Sequence, residues 1–340
     1  MNDPLELSTR RLSEARRRGN VDDVAEGLAF YANELIKNGQ LESARVALDE
    51  AAQIHHARGR IYDEARCMQL SATVCRLEGR LDEAKQRADR ALELSEASGP
   101  IAVSAHAEFG EIAMAEGRSA AAITAYGAAL ESGETTGLVG PARAALLRKR
   151  AAALVAAGQH QDAVHDLESA FDLLMQTGDR LTATRTLIEE ATALQHAGLY
   201  AEAERIVPRA TELAVQTNDH GALADIQLLL ATQALERRDA VGAMAAAREA
   251  RTQALAANAP TSYIAATVTV AQLSDMAVDR PTAYETLVVG WVTLADLLGS
   301  EMARMAFEPK LKELRQRWGA PAFDEIKKRY EEHRRSMKRG

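Results

Sequence analysis

Aromatic side chains are scarce in this chain, at 4% of 340 residues, and nowhere do they alternate with Val, Ile and Thr as half-buried strands require. That shortage argues against a sheet-built core. Cysteine is scarcer still, with only Cys67 and Cys75. If both lie in one helix they stand about 12 Å apart along its axis, beyond disulfide reach. No disulfide framework, and hence no secreted context, is implied. The chain also lacks an apolar run near the ~20 residues of a membrane span, and its opening "MNDPLELSTRRLSEARRRGN" has no signal-like apolar core. A cytoplasmic protein with no membrane partner is the expectation.

Net positive charge is absent too. The formal charge is −8, although residues 308–340 hold eleven Lys or Arg against six Asp or Glu, so the preceding chain carries −13. An acidic body lacks the clustered cations that phosphate backbones need, which argues against direct nucleic-acid binding. Alanine, by contrast, abounds. It combines the highest helix propensity with little volume and suits closely packed helices. The composition predicts an all-α protein.

The alanines are periodic. Turn residues recur at Gly19, Gly59, Gly99, Gly137, Gly178, Asn218, Asn258 and Gly299, in steps of 38 to 41 residues. Between them falls a second series, Gly39, Gly79, Gly117, Gly158 and Gly198, continued by Arg238 and Val278 without glycine. Five residues after each of these stands an alanine, from Ala44 to Ala283, and seven further on a small residue, from Ala51 to Gly290. Seven residues before each stands another: Ala32, Ala72, Gly110, Ala151, Ala191, Ala231 or Ala271. With apolar residues at helical spacing between the turns, each unit reads as helix A, a tight turn and helix B. The small residues mark where two helix backbones approach. One such hairpin cannot bury its own apolar face, but a stack of seven can.

Ala72, Ala84 and Ala91 place small residues in the middle of helix A and at the start and middle of helix B. This pattern resembles the tetratricopeptide repeat over roughly residues 20–298. The period near 40 exceeds the family's 34, and the proline that closes helix B in that family is missing. The long period is more similar to kinesin-light-chain repeats and to those of bacterial signal-responsive regulators. The resemblance implies a right-handed superhelical solenoid of seven antiparallel hairpins over residues 20–299. A capping helix at 1–19 and capping helices with a basic tail at 300–340 complete it.

Prolines test this register. Pro100, Pro141, Pro260, Pro281, Pro309 and Pro321 are expected in turns or first helical turns, whereas Pro208 falls inside a helix B and predicts a kink. The segment "AYETLVVGWVTLADLLG" is the most apolar in the chain. Met302, Met305, Phe307, Leu311, Leu314 and Trp318 are expected to cover it, with pairing to a second copy as the alternative. The chain is therefore expected to be a monomer, or a homodimer through its C-terminal region.

Chemistry-bearing motifs are missing. No phosphate-cradling glycine loop, GxSxG elbow, HExxH or CxxC occurs. His55 and His56 are adjacent and diverge on a helix, while His160 and His165 are five apart. These read as surface histidines rather than metal ligands. Cys75 reads as a buried structural thiol. No catalytic residue, metal or cofactor is expected, and the protein is not expected to be an enzyme.

The resemblance implies that helix A faces line a concave groove. Its inward positions are Asn33, Lys37, Arg66, Gln69, Thr73, Arg76, Glu108 and Glu111, then Arg148, Lys149, Arg185, Glu189, Thr192, Gln195 and His196. Asp225, Thr232, Glu236, Gln272 and Asp275 follow. Asn33 matches one place of the family's carboxylate clamp, but Leu70 stands where the second asparagine belongs, so binding to chaperone C-termini is not expected. The leading expectation is a protein–protein interaction scaffold holding a peptide or partner segment in that groove. The alternative is a peptide- or metabolite-responsive sensor that regulates transcription through a partner.

Overall fold

The computed structural model describes residues 4–95 and 99–337; the expected basic tail's last three positions lie outside that range. Every regular element among the described residues is an α-helix. The chain divides into two compact units, Met1–Asp179 and Arg180–Gly340. The first holds α1 (Pro4–Arg18), α2 (Val21–Lys37), α3 (Leu41–Ala57), α4 (Ile61–Leu77), α5 (Leu81–Leu94), α6 (Gly99–Ala115), α7 (Ser119–Thr135), α8 (Gly140–Ala156) and α9 (His160–Thr177). The second holds α10 (Arg180–His196), α11 (Tyr200–Gln216), α12 (His220–Glu236), α13 (Ala240–Ala256), α14 (Pro260–Met276), α15 (Arg280–Leu298), α16 (Ser300–Trp318) and α17 (Ala320–Met337). Even-numbered helices from α2 to α14 are the A helices of the sequence register, and each packs against the B helix that follows it.

The turns explain the period. Gly39 sits at φ +71°, its N–H donating to the Ile36 carbonyl at 3.0 Å while Gln40 N–H reaches Leu35 at 2.9 Å. This left-handed cap closes helix A and satisfies its last carbonyls. The same geometry is held without glycine by Asn218 (φ +52°), Arg238 (φ +59°), Asn258 (φ +50°) and Val278 (φ +62°). A side chain there is strained, most of all a β-branched one. After Asn218, Arg238 and Val278 an aspartate caps the next helix: Asp219, Asp239 and Asp279 accept from Ala222, Gly242 and Thr282 N–H at 3.0, 2.8 and 3.2 Å. Such caps contribute about 1 kcal/mol each, offsetting part of the turn strain.

The repeated small residues are the packing points. Ala32, Ala44, Ala51, Ala72, Ala84 and Ala91 are fully buried, and Leu28, Leu35 and Leu48 fill the space beside the first three. Gly110 replaces alanine because the Tyr126 ring occupies the site: a Cβ at position 110 would fall 2.4 Å from Tyr126 Cε1. Gly290 replaces alanine because Phe307 of α16 and Thr267 of α14 close over it, at 3.1 and 2.6 Å from a built Cβ.

The C-terminal helices cap the second unit only in part as expected. Phe307, Leu314 and Trp318 are buried against α15, and Tyr284 meets Phe323 and Tyr330 edge-on at 5.4 and 5.6 Å. Met302 and Met305, expected in the cover, instead face solvent, because α16 turns Ala303 and Phe307 inward. The spacing of the turns continues from Gly299 to Gly319, yet Lys312, Asp324 and Glu331 stand at the three small-residue places. With long polar side chains there, α16 and α17 cannot close into a tight hairpin.

Two further expectations are corrected. Pro309 lies well inside α16 rather than in a turn; the helix continues past it, losing the one hydrogen bond that proline cannot donate. His55 is not at the surface: it is 1% exposed on the inner face of α3. Pro208 lies inside α11 as its register requires. Both cysteines are buried free thiols on α4, and burial raises the Cys67 thiol to about 11 and the Cys75 thiol in the same direction. Neither has the activated character of a nucleophile.

Candidate functional site

In the first unit the expected groove residues are joined chiefly to one another. Arg76 on α4 donates to Glu108 of α6 at 2.5 Å, and the Thr73 hydroxyl donates to the same carboxylate at 2.9 Å. Gln69 stands 3.5 Å from Thr73. Glu108 is buried, so this carboxylate belongs to the lateral joint between two A helices rather than to an open channel. Glu111 continues the ladder, taking the Lys149 ammonium of α8 at 2.7 Å and the Tyr126 hydroxyl of α7 at 3.0 Å. Despite burial, these partners hold its carboxyl below the usual range. Asn33 donates to Ala29 O at 3.2 Å and Lys37 to Glu34 at 2.7 Å, both along their own helix. Arg66 lies 3.8 Å from Asp63, a loose exposed pair. Arg148 is half-buried on α8.

The sequence register identified the A-helix face but missed its internal neutralisation. Tyr126 was unforeseeable from a helix A pattern, since it arrives from a B helix. Its signal in the sequence is Gly110, the one A-helix small position not occupied by alanine.

The second unit is built differently. Gln195 of α10 is buried and donates to the Leu229 carbonyl of α12 at 3.2 Å, tying the two A helices together. Arg185 lies 3.7 Å from Asp219, and Glu189 is exposed. Between α10 and α12 opens a cleft of about 580 Å³. Ile188, Leu228 and Leu229 give it an apolar floor, while Thr192, Thr232, Tyr200, His196, Asp225 and Glu236 line its polar parts. Burial pushes the Asp225 carboxyl up, and the nearby Asp219 adds to this, although the Ser262 hydroxyl donates to it at 2.7 Å. Asp275, expected further along the face, is taken by the cap: the Trp318 indole N–H donates to it at 2.6 Å, and Arg317 also pairs with it.

No family model and no curated protein sequence matches this chain. Solved structures do. A signal-transduction ATPase with numerous domains and a tetratricopeptide repeat sensor, from Pyrococcus horikoshii, superposes with a TM-score of 0.68 at 14% identity. The match covers 88% of this chain and 46% of that one, so this chain spans less than half that protein's length. A tetratricopeptide repeat protein from Parabacteroides merdae gives 0.56 at 16% identity, over 84% and 97% of the two chains. The chain is a tetratricopeptide-repeat-like α-solenoid. Aspartyl phosphate phosphatase F of Bacillus subtilis shares this fold at 0.56 and 11% identity, over 85% and 75%. At these identities the likeness is one of fold.

The cleft's apolar floor and acidic rim suit an aliphatic side chain beside a cation, because each carboxylate can accept from Lys or Arg while the floor removes apolar surface from water. No described helix is long and apolar enough to cross a membrane. No group of three or more His, Cys, Asp or Glu among the described residues is placed to hold a metal ion.

Proposed function

We propose that this protein is an interaction scaffold whose A-helix face holds a segment of a partner protein, with the α10–α12 cleft as the principal seat. The observation that carries this reading is the cleft itself, a recess of about 580 Å³ with an apolar floor and the Asp225 and Glu236 carboxylates at its sides. The segment presents an aliphatic side chain and a Lys or Arg. On this reading the protein works in the cytoplasm by binding alone, without a catalytic residue, metal or cofactor. Taken by itself, the first unit offers a weaker seat of its own, with contacts from Asn33, Lys37, Arg66 and Arg148, while Gln69, Thr73, Arg76, Glu108, Glu111 and Lys149 maintain the face. Arg185, Glu189 and Gln195 border the cleft in the second unit.

A second reading is favoured by the Pyrococcus horikoshii structure, whose repeats are described as a sensor. Here the bound peptide or metabolite alters the curvature of the repeats, and a partner carries the signal to transcription. Small-angle scattering with and without the captured ligand separates the two, since a sensor compacts and a rigid adaptor does not.

Replacing Thr192 and Thr232 with arginine fills the cleft and opposes a cationic ligand. Loss of a captured partner from Thr192→Arg/Thr232→Arg, with the helical circular-dichroism spectrum unchanged, supports the cleft. Unchanged capture contradicts it.

A further inference from the structure

The B helices of the repeats serve as controls for one another. The two outward positions eleven and fourteen residues past each A–B turn are Glu50 and Gln53, Arg90 and Glu93, Ala128 and Glu131, Ser169 and Asp172, Arg209 and Glu212, and Glu249 and Thr252. Each of these pairs contains at least one polar residue, as a solvated helix face should. In α15 they are Val289 and Val292, 42% and 41% exposed. Leu297 and Leu298 at the end of the same helix, with Met302 and Met305 at the start of α16, are also exposed. The cap therefore leaves Val289 and Val292 uncovered where each of the other B helices places at least one polar side chain. Paired exposed apolar residues on a face that is otherwise polar are a candidate interaction site.

Charge identifies the occupant. On α15 the valine pair is bounded by Glu285, four residues before Val289, and by Asp296, four after Val292. Both carboxylates are exposed and neither is held in a salt bridge among the described residues. The order acid, valine, valine, acid occupies positions i, i+4, i+7 and i+11, one face of a helix about 16 Å long. Pairing α15 with a second copy sets Glu285 against Asp296 in antiparallel register, or like against like in parallel register. Both are repulsive, and residues 285–296 of α15 carry no cation to relieve them; Arg329 of α17, which shares a recess with Glu285, is already paired with Glu325. A foreign helix with the complementary order cation, leucine, leucine, cation meets both valines and both carboxylates at once.

We propose that the outward face of α15 docks a basic amphipathic helix of a partner protein, at a site separate from the A-helix cleft. The acidic ends set the register and the valines supply the apolar contact. Because the site lies on a B helix, it leaves the α10–α12 cleft free for a different segment.

The test uses the full chain and a fluorescein-labelled synthetic amphipathic peptide with lysines at i and i+11 and leucines at i+4 and i+7. Its control carries glutamates in place of the lysines. Fluorescence anisotropy should show saturable binding of the lysine peptide only. Val289→Ser/Val292→Thr, which restores the polar character of the other B helices and so keeps the fold, should weaken binding by about tenfold or more. Glu285→Gln/Asp296→Asn should weaken it too and flatten its dependence on salt. The proposal is overturned if the glutamate peptide binds as well, or if Val289→Ser/Val292→Thr binds the lysine peptide like wild type. It is also overturned if light scattering shows a dimer that the valine substitutions dissolve, since a second copy would then be the occupant.

Discussion

Tyr126 takes the room that Gly110 leaves: its Cε1 would lie 2.4 Å from a Cβ at position 110, and its hydroxyl passes on to Glu111 at 3.0 Å. In three other units the corresponding places hold an alanine and a leucine, as Ala32 and Leu48, Ala151 and Leu167, and Ala271 and Leu287, and in the remaining three the second place is Ala88, Val207 or Ala247. The pair is thus a volume exchange across the hairpin, with the added hydroxyl reaching the polar ladder of the A helices. Gly110→Ala should destabilise the first unit by about 1–2 kcal/mol, overpacking outweighing the gain in helix propensity. The double variant Gly110→Ala/Tyr126→Leu should recover that loss. Urea midpoints of the two variants give the comparison, and additive losses would mean the residues are not coupled.

Val278 sits at φ +62° with its side chain largely in solvent, so it is strained without packing to compensate. Val278→Gly should raise stability by about 1 kcal/mol, strain relief exceeding the entropy that glycine adds to the unfolded chain. A rise in the thermal midpoint is the expected readout; a fall would show that the valine contributes contacts worth more than its strain.

His55 is buried on α3, and neither ring nitrogen has a hydrogen-bond partner. Burial lowers its affinity for a proton below the usual 6.5, with Arg60 and Arg66 acting in the same direction and Asp63 and Glu26 opposing. The folded chain therefore holds this ring neutral more strongly than the unfolded chain does. Its contribution is complete above about pH 6.5 and is lost as pH falls from there through the lowered folded value. His55→Leu should flatten the decline in urea midpoint between about pH 7 and pH 5. A decline of the same size in the variant would assign the acid sensitivity to other groups.

The Trp318 indole and Arg317 both hold Asp275, fastening α16 to α14. Trp318→Phe keeps the ring but removes the donor, and should cost about 1–3 kcal/mol locally. Amide exchange should quicken in α16 and α17 while the helices of the first unit keep their protection. Exchange that quickens throughout would show the cap to be part of one global unfolding unit.

Much of the architecture was legible because alanine and glycine repeat at fixed offsets. Small residues are demanded by backbone approach, and that demand is local to each hairpin. The turns at Arg238 and Val278 were legible by period alone, although neither residue prefers the conformation it holds. The site was harder. Whether Arg76 greets a ligand or Glu108 depends on the helix one repeat away, which no local pattern encodes. Asp275 read as a groove residue until Trp318 was seen to reach it from α16. His55 read as a surface residue because adjacent histidines do not reveal which one turns inward. Of the α10–α12 cleft, the register names Thr192, Gln195, His196, Asp225, Thr232 and Glu236 as inward positions but not the apolar floor of Ile188, Leu228 and Leu229, because apolar residues on a helix A read as core.

The most direct measurement captures partners from lysate of the source organism on three immobilised forms side by side: wild type, Thr192→Arg/Thr232→Arg and Val289→Ser/Val292→Thr. Quantitative mass spectrometry should find a partner that the arginine variant loses and the α15 variant retains, placing recognition in the A-helix cleft. Identical partners at identical recovery on wild type and the arginine variant would contradict the central claim.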